Sequence, residues 1–289
     1  MIYLESITFP DADAEWDFRV YEVKRTCYNT LYPFFVLSEI GLSCVNFEPI
    51  TILYGGNGSG KTTVLNIIAE KLGVKRSAPY NRSNFFEDYV KMCLVRVEEK
   101  IPQHSAIVTS DDVFDYMLGV RSLNEGIDRK KELLFDDYLE AKYNGFRVRS
   151  LEDYGELKKR NIARSKTQSE FVRSQLMENV REQSNGESAS FYFRQRIEAD
   201  ALYLLDEPEN SLSAAKQIEL AGYLEESARY MNCQLIVSTH SPFLLAMESA
   251  KIYDLDEHPV DIKRWTQLEN VRIYHDFFLR HKEKFEKLR

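Results

Sequence analysis

The sequence predicts an α/β fold built on a mostly parallel central sheet, and three observations carry that prediction. The short apolar run Ile50-Thr-Ile-Leu-Tyr54 meets a glycine-rich turn that leads directly into helical spacing. Two more buried-strand runs, Ala201 to Leu205 and Gln234 to Ser238, each end in a polar cluster, with a helical stretch from Ala214 to Tyr230 between them. Strands that alternate with helices pair in parallel, and such sheets collect ligands at the carboxyl ends of their strands.

The first turn reads Gly55-Gly-Asn-Gly-Ser-Gly-Lys-Thr-Thr63, which places Gly55, Gly60, Lys61 and Thr62 in the pattern G-x-x-x-x-G-K-[ST]. Glycines let the chain turn sharply and bring successive N–H groups onto phosphate oxygens. The helix that follows, Thr62 to Leu72, adds unpaired N–H groups and the positive end of its dipole. Its apolar residues Val64, Leu65, Ile67, Ile68 and Leu72 hold helical spacing, and Gly73 marks its end. The predicted phosphate cradle is therefore Gly55, Gly56, Asn57, Gly58, Ser59, Gly60, Lys61, Thr62 and Thr63. Lys61 is expected to reach the β- and γ-phosphates, and the Thr62 hydroxyl to ligate Mg²⁺. A P-loop nucleoside triphosphatase follows from this context.

Ahead of the loop, Ile2 to Phe9 and Phe18 to Lys24 look like an antiparallel strand pair, broken by Pro10-Asp-Ala-Asp. Leu42 to Phe47 reads as another strand. Between Lys75 and Gln183 the pattern loosens, and a mainly helical lobe, residues 75–183, is expected inside one domain spanning 1–289. Within it Tyr80 to Asn84 reads as loop, while Phe85 to Val97 follows no single period. Ile107 and Val108 suggest a strand feeding a helix capped by Asp111-Asp112. Arg129 to Tyr143 and Phe171 to Val180 read as helices. Leu157 to Lys166 carries five positive charges and little to bury, either a mobile basic loop or a solvated face. The chain closes with a strand from Ala250 to Leu255 and a charged amphipathic helix from Leu268 to Leu288. No heptad pattern supports long coiled-coil arms.

The acidic strand ends in Asp206-Glu207-Pro208, either a plain capping turn or a magnesium and water site. After a phosphate loop, Asp206 is expected to hold Mg²⁺ and Glu207 to orient or deprotonate the attacking water. His240, in Thr239-His-Ser-Pro242 after the next strand, is placed to sense the γ-phosphate. The candidate catalytic set is Glu207, His240 and Lys61; the metal set is Thr62 and Asp206.

Upstream of Asp206 stands Gln183-Ser-Asn-Gly-Glu187, and here the chain resembles the ABC-type ATPases, whose signature Leu-Ser-Gly-Gly-Gln precedes the acidic strand. Ser184 and Gly186 match; Gln183, Asn185 and Glu187 depart from it. The likeness extends to small stand-alone bacterial ATPases labelled AAA but built like ABC heads. Ser184-Asn-Gly-Glu-Ser188, Leu204-Leu-Asp-Glu-Pro-Glu209, Thr239 to Pro242 and Ile252-Tyr-Asp-Leu-Asp256 carry it. The resemblance implies ATP and Mg²⁺ as ligands and a head-to-tail homodimer. Each nucleotide would lie between one copy's phosphate loop and the other's Ser184 and Gly186. It also makes Ser211-Leu-Ser213 a contact with the second copy and leaves Gln103 and Asp111 as alternatives for the Gln-loop. Its implied fold is a mostly parallel central sheet with N-terminal antiparallel strands and a helical insertion.

With 44% hydrophobic and 29% charged residues, the chain has the composition of a core-forming protein. A net charge of −8 disfavours broad coating of nucleic acid. Cys27, Cys44, Cys93 and Cys233 form no Cys-x-x-Cys pair, which suits a reducing compartment, and a cytoplasmic location is expected. No apolar run approaches a membrane span. The expected function is an ATP-gated dimer switch in nucleic-acid transactions or phage defence. The alternatives are a regulatory ATPase controlling a toxin or nuclease partner, and a transporter subunit.

Overall fold

The computed structural model describes residues 1–23, 30–143, 154–173 and 185–286. In chain order the first elements are β1 Leu4–Thr8, α1 Ala12–Asp17, α2 Val36–Glu39, β2 Cys44–Asn46, β3 Ile50–Tyr54 and α3 Lys61–Leu72. Next come α4 Phe86–Met92, β4 Leu94–Val97, β5 Ala106–Thr109, α5 Ser110–Tyr143, α6 Tyr154–Ser165, α7 Gln168–Arg173 and α8 Asn185–Arg196. The chain ends with β6 Leu202–Asp206, α9 Ala214–Tyr230, β7 Gln234–Ser238, α10 Pro242–Leu245, β8 Lys251–Asp254, β9 Asp261–Lys263, α11 Glu269–Arg280 and α12 Lys282–Glu286.

Six strands form the central sheet in the order β5-β6-β7-β3-β8-β9, with only β9 antiparallel to its neighbour. Every residue of β3, β6 and β7 is buried, which is why these strands read as continuous apolar runs rather than alternating ones. The helix α3 lays Val64, Leu65, Ile67 and Ile68 into a core shared with Leu53, Ile107, Leu204 and Ile236 of the sheet. A separate antiparallel sheet, β2-β1-β4, contributes Leu4, Ile7 and Val45 to the same core. The mostly parallel sheet, the N-terminal antiparallel strands and the helical unit are the arrangement the sequence predicts.

Two compact units divide the chain: Met1–Val113 with Asn185–Arg289, and Phe114–Ser184. The second is helical where described. In it Tyr138 and Ala141 of α5 pack with Phe171 and Val172 of α7, and the Tyr138 hydroxyl donates to the Lys166 carbonyl at 3.1 Å.

Several local expectations need correction. Phe18 to Glu22 is not a strand but a π-helical continuation of α1. Asp11 caps that helix by accepting from Ala14 N–H at 2.8 Å, so the polar break starts a helix instead of turning a hairpin. The buried Glu15 carboxylate then takes the Phe35 N–H at 3.0 Å and the Ser38 hydroxyl, tying α1 to α2. Strand β1 finds its partners in β2 and β4.

The basic run folds as helix α6, with Lys158 exposed and Arg160 buried, so the mobile-loop alternative fails. Helix α5 is capped by Thr109 and Asp112 reciprocally, Thr109 N–H donating to Asp112 at 2.7 Å and Asp112 N–H to the Thr109 hydroxyl at 3.3 Å. The C-terminal helix is two, α11 and α12, parted at His281. Phe85 to Val97 resolves into α4 and β4, a helix and a strand in succession, which accounts for its mixed period.

Several side chains join the two sheets, Tyr253 through Asn46 among them, and one is wholly enclosed. Gln234, at the start of β7 and fully buried, accepts from the Tyr3 and Leu4 N–H groups and donates to the Leu4 carbonyl, each at 2.8 Å. Gln234→Ala strands three buried backbone groups, and unfolding in urea is expected to show a loss of about 3 kcal/mol. A loss under about 0.5 kcal/mol would mean that the carboxamide does not link the sheets.

Candidate functional site

Parallel register builds the site. Thr109 pairs with Asp206, Asp206 with Ser238, Leu53 with Ser238, and Tyr54 with Asp254. The carboxyl ends of β5, β6, β7, β3 and β8 therefore stand in one row. Four of the stretches singled out from sequence, the glycine loop, Asp-Glu-Pro, Thr-His-Ser-Pro and Tyr-Asp-Leu-Asp, leave the sheet along this row.

The glycine loop has no room for side chains at two points. A Cβ on Gly55 would stand 2.5 Å from the Ser59 hydroxyl oxygen. Gly60, at φ 95°, precedes α3 in a left-handed conformation, and a Cβ there would meet Leu37 of α2 at 3.2 Å. Lys61 is only 4% exposed, and its ammonium donates to the Gly55 carbonyl at 2.7 Å and the Gly56 carbonyl at 2.9 Å. Burial pulls its pKa down, opposed by the negative field of Glu207, Asp206, Asp256 and Glu209.

Thr62 donates its hydroxyl to Asp206 at 3.1 Å, and the Ser238 hydroxyl donates to the same carboxylate oxygen. Burial pushes the Asp206 carboxyl up, more than these two hydroxyls pull it down. Two hard oxygen donors, one of them a carboxylate, fit Mg²⁺.

Glu207 is held differently. It has a left-handed backbone at φ 48°, a conformation that costs about 1 kcal/mol or more outside glycine. Its N–H donates to the Ser238 carbonyl at 3.0 Å and lies 3.2 Å from the Ser238 hydroxyl, which fixes the turn. One carboxylate oxygen accepts from Asn210 at 3.0 Å; the other lies 3.3 Å from His240 Nε2. The imidazole first, then the Asn210 amide, hold its pKa down at about 2 against a burial effect that raises it. His240 Nε2 is buried and lacks an aligned hydrogen-bond partner.

The His240 turn rests on Glu209. This buried carboxylate accepts from the Thr239 hydroxyl at 2.6 Å, the His240 N–H at 2.7 Å and the Ser241 N–H at 3.2 Å. The Asn270 side chain donates to the His240 carbonyl at 3.2 Å.

A cavity of about 340 Å³ is lined by Tyr32, Val36, the loop from Asn57 to Thr63, and Glu207. Gly55 and Gly56 stand behind it, reached through Lys61. The Tyr32 hydroxyl is 3.0 Å from that of Thr63. A larger groove of about 570 Å³ between α9 and α10 is lined by Glu225 and Glu248 and by no cation.

Of the remaining candidates, Gly186 lies in the first turn of α8 and Ser184 lies outside the described residues. Asp111 opens α5 at the carboxyl end of β5, whereas Gln103 lies in the loop before that strand. Ser238, Glu209, Asp256 and Tyr32 carried no expected role. The signal for Ser238 was its place as last residue of a strand whose neighbour ends in Asp206; for Glu209 it was the repeated acid in Asp206-Glu-Pro-Glu209.

Residues 119–246 match the family model described as "AAA domain, putative AbiEii toxin, Type IV TA system". That stretch contains Asp206, Glu207 and His240 and begins after the glycine loop. No curated protein matches the chain. Among solved structures, one similar to it is an Smc head domain with an extended coiled coil bound to the C-terminal domain of ScpA, from Pyrococcus furiosus. The two are 15% identical with a TM-score of 0.41, over 81% of this chain and 94% of that one. An SMC head domain from Thermotoga maritima is 13% identical with a TM-score of 0.37, over 91% and 99%. A dimeric ATP-binding cassette in a post-hydrolysis state bound to ADP and Pi is 15% identical with a TM-score of 0.36, over 77% and 88%.

Asp206 supplies a test that needs no ligand. A carboxyl whose folded pKa is raised carries an unfavourable charge in the native state above that pKa. Asp206→Asn is therefore expected to stabilise the empty protein at pH 7.5. The gain should fade at acid pH, where the wild-type carboxyl protonates on its own. Denaturant unfolding at both pH values checks this; a destabilised variant at pH 7.5 would contradict it.

Proposed function

We propose that the chain binds ATP with Mg²⁺ and hydrolyses it as one half of a head-to-tail pair, like the ABC-type P-loop ATPases it resembles. The observation that carries the reading is the Lys61 ammonium, buried and satisfied only by loop carbonyls that a triphosphate can replace. Thr62 and Asp206 would hold Mg²⁺, which supplies charge neutralisation on the phosphates. The helical unit is read as an insertion within a single ATPase domain.

In hydrolysis a water oxygen bonds to the γ-phosphorus as the bond to the β-bridging oxygen breaks, giving ADP and phosphate. Glu207 is assigned to the water. A carboxylate whose pKa is held down at about 2 is a weak base at neutral pH. Orientation by an ionised acceptor is the role this favours. His240 Nε2, 3.3 Å from Glu207 and without an aligned hydrogen bond, is assigned to a γ-phosphate oxygen. Ser184, Gly186 and the turn Ser211 to Ser213 are assigned to the second copy's nucleotide, as the signature likeness implies.

For the output of the cycle, the description of the matched family, which names a putative toxin of a type IV TA system, favours a regulatory ATPase that controls a toxin partner. Direct nucleic-acid binding is the second reading, supported by exposed Lys158 on α6. Salt-dependent DNA binding would select it.

Glu207→Gln is expected to bind ATP without turnover and to accumulate as a dimer in size exclusion; ATP-loaded monomer at high concentration would overturn the pairing. Lys61→Ala is expected to weaken ATP binding about 100-fold, the loss of two charged hydrogen bonds. Unchanged affinity would overturn the phosphate-loop assignment.

A further inference from the structure

The stretch Ile252-Tyr-Asp-Leu-Asp256 closes the core sheet, and the chemistry above gives its last residue no task. Asp256 is exposed, yet both of its carboxylate oxygens lie 2.7 Å from the Gly56 backbone nitrogen. The turn that carries it is braced. The Asp256 N–H donates to the Asp254 carboxylate at 3.1 Å, and that buried carboxylate pairs with Lys263 at 3.0 Å.

The Gly56 N–H belongs to the same peptide unit as the Gly55 carbonyl, which accepts from Lys61 Nζ at 2.7 Å. A single peptide plane is thus gripped at its N–H end by an anion and at its C=O end by a cation. In a trans peptide these two groups point in opposite directions, so the two grips together resist rotation of the plane. The restraint matters here because a Gly-Gly peptide has no side chain on either flank to limit such a rotation.

An anion at the mouth of a triphosphate site is unfavourable on charge alone. A compensating role is therefore required. We propose that Asp256 is a positioning residue that locks the Gly55–Gly56 peptide, keeping the loop's following amides aimed at phosphate after ATP has drawn Lys61 away. The proposal rests on the nucleotide reading above. While the site is empty the peptide has two restraints; once the lysine turns to phosphate, the Asp256 bond is the one that stays.

The test uses the full chain with ¹⁵N-labelled glycine, comparing wild type, Asp256→Ala and Asp256→Asn. Without nucleotide, the Gly56 amide is expected to exchange with solvent at least about tenfold faster in Asp256→Ala than in wild type. With a fluorescent ATP analogue, Asp256→Ala is expected to bind about tenfold more weakly. Asp256→Asn retains a carbonyl acceptor and is expected to stay within about twofold of wild type. Tighter binding in both variants would mean that the carboxylate acts only through its charge, and the lock is overturned. Wild-type affinity in Asp256→Ala overturns the lock and leaves the nucleotide reading standing. No binding by the wild type itself overturns both.

Discussion

A buried ammonium with no carboxylate in contact is the constraint around which this site is arranged. Lys61 is almost wholly enclosed, and among the described residues its bonds go to two backbone carbonyls of its own loop. Neutral oxygens only partly repay the desolvation of a cation. The four surrounding carboxylates, Glu207, Asp206, Asp256 and Glu209, keep it charged from a distance. An anion with several oxygens, delivered to the loop, satisfies the ammonium better than the loop does. The strand–turn–helix geometry exists to hold that cation where such an anion can reach it.

The acids around the lysine are separated in function by their environments. Asp206 is buried among hydroxyls and its pKa is pushed up, so it gains most from an incoming cation. Glu207, one residue on, is pulled down to about 2 by His240 and Asn210 and stays ionised. Adjacent carboxyls with opposite shifts mark a division of labour. Glu209 is buried like Asp206 but spends its oxygen on three donors of the Thr239 to Ser241 turn, and so sets where His240 stands.

Much of this was legible in the sequence, for a physical reason. Strands β3 and β7 and helix α9 have the bounds their patterns predict, because buried strands and amphipathic helices write their periods into the chain. What was not legible depends on contacts between distant residues. The β-rich look of Phe18–Glu22 hides a helix that runs on from the Asp11 cap and stacks Phe18 on the distant Phe34. The parts played by Ser238, Glu209 and Asp256 need the register of strands far apart in sequence. The basic run forms a helix in which Arg160 is buried, and charge counting does not foresee that burial.

The most direct measurement is a crystal structure with Mg²⁺ and a nonhydrolysable ATP analogue. The account predicts that Lys61 Nζ leaves the Gly55 and Gly56 carbonyls and lies about 3 Å from β- and γ-phosphate oxygens. An analogue bound elsewhere, with the ammonium still on those two carbonyls, would contradict it.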